Sequence, residues 1–262
     1  MTTDLFRLDG RVAFISGAAG HLGREMAWAL GEAGATVILN GRNANRLSAF
    51  ASELEDAGIG VECAVFDMME FPSVRKFFSS RHRIDVLINN AVTMTPKSLA
   101  AAEPEDFDQS FRSAVTAAFE AVRAARPALA RAARESGDAS VINVATMYAA
   151  VSPDPKLYSD PGQMSPPYYG AAKAGLVQLT RHLAAELGPD RVRVNALSPG
   201  PFPRGEVLAR DPQFAGRLAS RTMLGRVAAA PEIRGPIVFL ASAASSFVTG
   251  TVLAADGGWT AW

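Results

Sequence analysis

The chain has 262 residues, 48% of them hydrophobic and 20% charged, with Lys plus Arg and Asp plus Glu balanced at 26 each. That composition is that of a folded globular domain rather than a disordered chain, and the length suits one α/β unit. The charge balance gives no reason to expect nucleic acid or an anionic membrane as partner.

One cysteine, Cys63, excludes an intramolecular disulfide. It sits in the apolar run from Val61 to Phe66 and is expected to be a buried filler. No Cys/His spacing suggests a metal site. Residues 1–10 are polar and lack the apolar stretch of a signal peptide. No apolar run approaches a membrane span. A cytoplasmic location is therefore expected.

In chain order, short apolar runs predict strands at Val12–Ser16, Thr36–Asn40, Val61–Phe66, Val86–Asn89, Ser140–Ala145, Val192–Ser198 and Leu253–Ala255. Amphipathic stretches between them predict helices at Leu22–Ala33, Arg46–Ala57, Phe107–Glu135, Gly175–Leu187 and Pro231–Ala241. Apolar strands alternating with helices imply a mostly parallel seven-stranded sheet, doubly wound, with helices on both faces. No linker or repeat divides the chain, so residues 1–262 are read as one domain. Two segments break the rhythm. Residues 147–168 carry five prolines without a helical period, and residues 199–226 open on Pro-Gly-Pro-Phe-Pro. Both follow strands, which places them at the carboxyl edge of the sheet, where open α/β folds bind ligands.

The first predicted strand runs into Ser16-Gly17-Ala18-Ala19-Gly20-His21-Leu22-Gly23 and then a helix. Glycines there allow a tight turn and let backbone N–H groups approach a pyrophosphate at the helix N-terminus. In this βαβ context a dinucleotide site is the expected reading. The second strand ends at Asn40-Gly41-Arg42, where a carboxylate for a free ribose 2′-hydroxyl would stand. No carboxylate is present, and the planar guanidinium of Arg42 suits a 2′-phosphate. NADP is thus favoured, with NAD as the second choice. Asp67 fits two roles equally, an acceptor for the adenine amino group or a helix cap. Asn89-Asn90-Ala91 ends the fourth strand, and an Asn there either holds neighbouring backbone or lines the cleft.

Tyr169 and Lys173 are four residues apart on one predicted helical face. A nearby ammonium favours the phenolate form of a tyrosine. Such a tyrosine can exchange a proton with a carbonyl or alcohol oxygen. Thr146, at the end of the fifth predicted strand, can offer its hydroxyl to the same oxygen.

Taken together, the glycine turn, Asn89-Asn90-Ala91, the strand ending at Thr146, Tyr169 with Lys173, Asn195 through Pro199-Gly200, and the tail Asp256-Gly257-Gly258-Trp259 resemble the short-chain dehydrogenase/reductase family over nearly the whole chain. The likeness is greatest to gluconate 5-dehydrogenase-like and 3-oxoacyl-acyl-carrier-protein reductase-like members. It implies a single-domain, three-layer Rossmann-type fold and a ketone/secondary-alcohol oxidoreductase. It implies Tyr169 as acid/base, Lys173 as its partner on the nicotinamide ribose, and Thr146 as the holder of the substrate oxygen. Gly17, Ala19, His21, Leu22, Arg42, Asp67, Met68, Asn90, Ala91, Pro199, Gly200 and Phe202 would contact the cofactor alongside Tyr169 and Lys173. A homotetramer is the family's common assembly.

Four further positions depart from the family pattern. His21 replaces a glycine and stands near a phosphate or points outward. Val92 follows Asn89-Asn90-Ala91 in place of glycine. Ala114 aligns with the asparagine that holds a water relay behind the lysine, which implies slower turnover. Arg204 stands where a threonine is usual. These departures motivate an alternative, a dinucleotide-binding protein of the same fold with little or no catalysis. The substrate-side loops carry Arg204, Arg210, Arg217, Arg221 and Arg226 against Glu206 and Asp211, an excess that raises the prospect of an acidic small-molecule substrate.

Overall fold

The computed structural model describes residues 1–262, the side chain of Pro161 excepted. Seven strands form one sheet: β1 (Val12–Ser16), β2 (Thr36–Gly41), β3 (Val61–Val65), β4 (Val86–Asn89), β5 (Ala139–Val144), β6 (Val192–Pro199) and β7 (Val252–Ala255). The spatial order is β3-β2-β1-β4-β5-β6-β7. Every neighbouring pair is parallel, so the sheet is wholly rather than mostly parallel. The winding reverses between β1 and β4, which opens a crevice at their carboxyl ends.

The helices are α1 (His21–Glu32), α2 (Ala44–Asp56), α3 (Phe71–Ser79), α4 (Pro104–Phe111), α5 (Ala117–Ser136), α6 (Pro167–Leu187), α7 (Gly205–Arg210), α8 (Phe214–Ala219) and α9 (Arg234–Ala241). Side chains alternate across each strand and so feed two cores. Ala13, Ile15, Val37 and Leu39 point to the layer of α1, α2 and α9. Phe14 and Ile38 point to the layer of α3, α5 and α6. The central strands are buried on both faces, which is why they read as unbroken apolar runs.

Two expectations change and a third is extended. The predicted helix 107–135 is two helices joined by a π-helical turn at Arg112–Thr116, where the backbone N–H of Ala117 reaches back to the carbonyl of Arg112. The Tyr169–Lys173 turn and the Gly175–Leu187 stretch form one helix, α6, that begins at Pro167, with proline in its first turn where no N–H is needed. Cys63 is exposed rather than buried. It lies on β3, the sheet edge, where only Ala64 of the strand is fully buried.

At the amino edge of the sheet, Asp85 is fully buried. Its carboxylate accepts from Arg83 at 2.7 Å through two nitrogens, from the backbone N–H of Val12 at 2.9 Å and from Arg11 at 3.3 Å. That cluster ties β1, β4 and β5 together, since Arg11 also donates to the carbonyl of Asp138 at 2.7 Å. Truncating one member of a buried ion network strands the others. Asp85→Ala is expected to cost about 3–5 kcal/mol of stability, read as a lowered denaturation midpoint in urea.

Candidate active site

A cleft of about 500 Å³ runs along the carboxyl edge of the sheet across the β1/β4 switch point. Every site residue selected from the sequence lines it: Gly17, Ala19, His21, Leu22, Arg42, Asp67, Met68, Asn90, Ala91, Thr146, Tyr169, Lys173, Pro199, Gly200 and Phe202. Two departures from the family pattern, Val92 and Arg204, line it as well.

The turn between β1 and α1 is built for backbone approach. Gly17 has φ +65°, a conformation glycine adopts without penalty. A Cβ on Gly23 would lie 2.3 Å from the carbonyl oxygen of Gly17. The turn can therefore close only if position 23 is bare, and this leaves the α1 N-terminus facing the cleft, as a dinucleotide phosphate requires. Gly23→Ala is expected to weaken dinucleotide binding by at least tenfold, measured by the quenching of intrinsic fluorescence on titration with NADPH.

Asn90 braces this turn. Its amide donates to the carbonyl of Ser16 at 2.9 Å and of Gly17 at 3.3 Å, and its backbone N–H donates to the Ser16 hydroxyl at 2.9 Å. Of the two roles left open for the Asn89-Asn90 pair, Asn90 fills both, since it holds the β1 backbone and also lines the cleft. His21 hydrogen-bonds through Nε2 to the carbonyl of Phe202 at 3.2 Å. It thus spans from α1 to the loop after β6 rather than pointing outward.

At the β2 end of the cleft, Asp67 accepts from the backbone N–H of Met69 at 2.9 Å, a local turn contact of the capping kind. Its other oxygen lies 3.6 Å from Arg42. Arg46, which the sequence reading passed over, also lines this end and donates to the carbonyl of Ala19 at 3.1 Å. Its signal was present. Asn43 caps α2 by accepting from the backbone N–H of Arg46 at 3.0 Å, and a cap at position 43 sets Arg42 and Arg46 on either side of the first turn.

At the opposite end stand Thr146, Tyr169 and Lys173. Thr146 lies just past β5 and is buried. Tyr169 and Lys173 occupy the first two turns of α6, with Lys173 Nζ 6.0 Å from the centre of the Tyr169 ring. Lys173 is buried and its ammonium donates to the carbonyl of Val144. Burial lowers its pKa to about 8. Burial pushes the Tyr169 phenol above its ordinary value, and a hydrogen bond from Thr146 pulls part of that back. Helical spacing alone makes Lys173 the leading influence on Tyr169. In the folded chain desolvation leads, because burial is the largest influence on both groups.

The two irregular segments, residues 147–168 and 199–226, pack together as one body. Met147, Leu157, Leu218 and Trp259 form a small core against which Tyr148, Val151, Tyr158, Phe214 and Val227 pack. The hydroxyls of Tyr148 and Tyr158 are 2.9 Å apart. Arg217 donates to the carbonyl of Leu157 at 2.6 Å, and Ser159 donates to Asp211 at 2.9 Å. Trp259 packs edge-on against Tyr148, while Trp262 is exposed. The loop arginines are partly committed, since Arg217 pairs with Asp211 and Arg226 with Glu232.

Comparison with known proteins agrees with this arrangement. A family model described as "Enoyl-(Acyl carrier protein) reductase" matches residues 17–260. The chain is 34% identical to the gluconate 5-dehydrogenase of Gluconobacter oxydans, over 98% of this chain and 97% of that one. It is 31% identical to a 3-oxoacyl-[acyl-carrier-protein] reductase of Thermotoga maritima, over 96% and 98%. Its fold superposes on the crystal structure of a gluconate 5-dehydrogenase from Burkholderia cenocepacia in complex with NADP and tartrate, with a TM-score of 0.88, 32% identity and full coverage of both chains. A glycine turn at the switch point, a Tyr–Lys pair one helical turn apart beside a Thr, and this likeness along the whole length lead to one conclusion: the chain belongs to the short-chain dehydrogenase/reductase family of oxidoreductases.

Proposed function

We propose that this protein interconverts a ketone and a secondary alcohol with NADP(H), with Tyr169 as acid/base. The observation that carries this reading is the polarity of the cleft. Arg42 and Arg46 stand at one end, the bare glycine turn lies in the middle, and Thr146, Tyr169 and Lys173 stand at the other.

The bound nicotinamide supplies or accepts the hydride. The residues of the chain do the rest. Gly17, Ala19, His21 and Leu22 present backbone to the pyrophosphate, and Pro199, Gly200 and Phe202 frame the far wall. Thr146 holds the substrate oxygen by a hydrogen bond. The phenol of Tyr169 gives its proton to that oxygen as the carbonyl is reduced, and the phenolate takes it back when the alcohol is oxidised. Lys173 keeps a positive charge beside the phenolate, lowering the cost of that charged state. The walls formed by the 147–168 and 199–226 segments limit water around the reacting oxygen.

Arg42 and Arg46 bring two guanidinium groups to one end of the cleft against the single lining carboxylate of Asp67, 3.6 Å from Arg42, and this balance favours the 2′-phosphorylated cofactor. Each charged hydrogen bond contributes about 1.5–3 kcal/mol. Arg46→Ala is therefore expected to raise the KM for NADPH by about 10- to 100-fold while leaving the KM for NADH almost unchanged. Equal effects on the two cofactors would remove the proposed phosphate contact.

For substrate, we infer a hydroxy or keto acid of small size. The relative crystallised with tartrate supports this. So does Arg204, which lines the cleft and forms no ion pair among the described residues. The pairing of Arg217 and Arg226 weakens the wider charge argument. The deciding experiment is NADPH oxidation over matched neutral and anionic ketones. Turnover that favours the anions supports the reading, and equal kcat/KM for both removes the acidic preference. NADPH binding without turnover on any ketone favours a binding protein instead. A cytoplasmic homotetramer belongs to the same proposal. It is supported by Phe111 and Phe119, which stand exposed around the α4–α5 junction. No helix among the described residues is long and apolar enough to cross a membrane.

A further inference from the structure

Residues 92–97 follow β4 and carry part of the cleft wall with almost no backbone support. Val92 and Thr93 line the cleft. Among the described residues, no backbone group of residues 92–97 bonds to another backbone group. The chain is fixed just before this stretch, because the backbone N–H of Ala91 donates to the Ser16 hydroxyl at 3.0 Å. It is fixed again at Lys97, whose ammonium donates to both carboxylate oxygens of Asp106 on α4, at 2.8 and 2.7 Å. Between those two points a single bond holds it: the hydroxyl of Tyr168 donates to the carbonyl of Thr95.

Both partners of that bond are held in place. Thr95 precedes Pro96, and a residue before proline is driven to extended backbone. Tyr168 stands in the first turn of α6 and is buried. Its ring packs edge-on against Phe107 of α4, with centroids 5.8 Å apart and planes at 73°. Its backbone carbonyl accepts from the hydroxyl of Ser110, also on α4, at 3.2 Å. Consecutive residues on a helix point about 100° apart. Tyr169 therefore lines the cleft, whereas Tyr168 is not part of the lining and turns to the 92–97 segment and α4.

We propose that Tyr168 is a positioning residue for the dinucleotide: its hydroxyl orders Val92 and Thr93 as a wall of the cleft before the cofactor arrives. Without that bond, the unsupported stretch grows from Val92–Met94 to Val92–Pro96. Binding would then have to order the wall, and that entropy cost is subtracted from the affinity. Val92 sharpens the need. A glycine at this position would leave the cleft clear however the chain lay, but a branched side chain next to Ala91 fits only if its backbone is held. Tyr168 thus accommodates one of the departures from the family pattern. The proposal concerns cofactor binding and stands apart from the acid/base assignment of Tyr169.

Tyr168→Phe removes the hydroxyl and keeps the ring against Phe107. Two measurements on the purified protein test the proposal, and neither requires turnover. Trypsin cleavage after Lys97 is expected to be at least about threefold faster than in wild type, because a less supported segment opens more often. The Kd for NADPH, read by quenching of intrinsic fluorescence, is expected to rise by about 2- to 13-fold, the range for one hydrogen bond. Pro96→Gly loosens Thr95 from the other side and leaves α6 untouched, and it should move both readings in the same direction. An unchanged Kd in both variants overturns the positioning role even if cleavage is faster. Unchanged cleavage overturns the anchoring of the segment. A fall in kcat at saturating NADPH with an unchanged Kd would mean that Tyr168 acts on Tyr169 rather than on the wall, and also overturns it. A wild type that turns over no ketone refutes the proposed function instead and leaves the cleavage and binding results to decide the role of Tyr168.

Discussion

Tyr169→Phe is expected to reduce kcat by between about 10² and 10⁴ in ketone reduction, with the affinity for NADPH within a few-fold of wild type. The substitution removes one oxygen and leaves the ring in place beside Lys173. What disappears is the proton donor, not the wall of the cleft. The pH dependence should match the direction of the phenol's shift. Burial raises the pKa of Tyr169, so its acid form persists through neutral pH. Reduction, which needs that proton, should therefore hold its rate from pH 6 to 8, whereas alcohol oxidation, which needs the phenolate, should rise continuously as pH increases. Steady-state kinetics in both directions checks this. A Tyr169→Phe enzyme that retains more than about a tenth of the wild-type kcat would falsify the acid/base assignment.

Lys173→Met should give an inactive protein that is more stable than its parent. The pKa of Lys173 falls from 10.5 to about 8 because burial disfavours the ammonium. In the unfolded chain the amine holds its proton up to about pH 10.4. Between the two values the unfolded state binds more protons, so this group's contribution to stability rises with pH from 8 to 10.5 and is constant below 8. At neutral pH the buried charge costs on the order of 3 kcal/mol, from 2.5 pH units at 1.36 kcal/mol each. Methionine matches the length of the stem and carries no charge. The lost hydrogen bond to Val144 offsets part of the gain. A rise in Tm of several degrees at pH 7, shrinking toward pH 10, is expected from paired melting curves. A variant less stable than wild type at pH 7 would show that the ammonium is held by compensating contacts. Activity and stability would then favour the same residue rather than opposing ones.

Much of this architecture was legible because the fold repeats one pattern. Buried parallel strands must be apolar on both faces, so Phe14, Ile38 and Leu87 declare themselves without alternation. The glycine turn and the Tyr169/Lys173 spacing were readable because backbone approach and helical phase each restrict residue type. What escaped depended on tertiary placement. Cys63 sits in an apolar run, yet nothing in that run says that β3 is an edge strand. The π-helical turn around Ala114 leaves no periodicity signal, because its extra residue is absorbed locally. For Arg46 the Asn43 cap marks a place in the first turn of α2, but only folding brings its guanidinium over the glycine turn to the carbonyl of Ala19. The influence of burial on Tyr169 was equally invisible, since spacing gives proximity to Lys173 but says nothing of hydration.

The joining of residues 147–168 to residues 199–226 bears on how such a protein can acquire new substrates. Arg217 to Leu157, Ser159 to Asp211, and the Tyr158–Phe214 ring pair fasten residues 147–168 to residues 199–226. Changes in one segment are therefore read through the other, and single substitutions there should be strongly epistatic. A lineage that drifts toward a new substrate would have to carry both segments together, whereas the glycine turn and the Tyr169 helix α6 could be inherited untouched. Recombination that grafts both segments as a pair should yield folded chimeras of altered specificity, and grafting either one alone should mainly yield poorly packed ones.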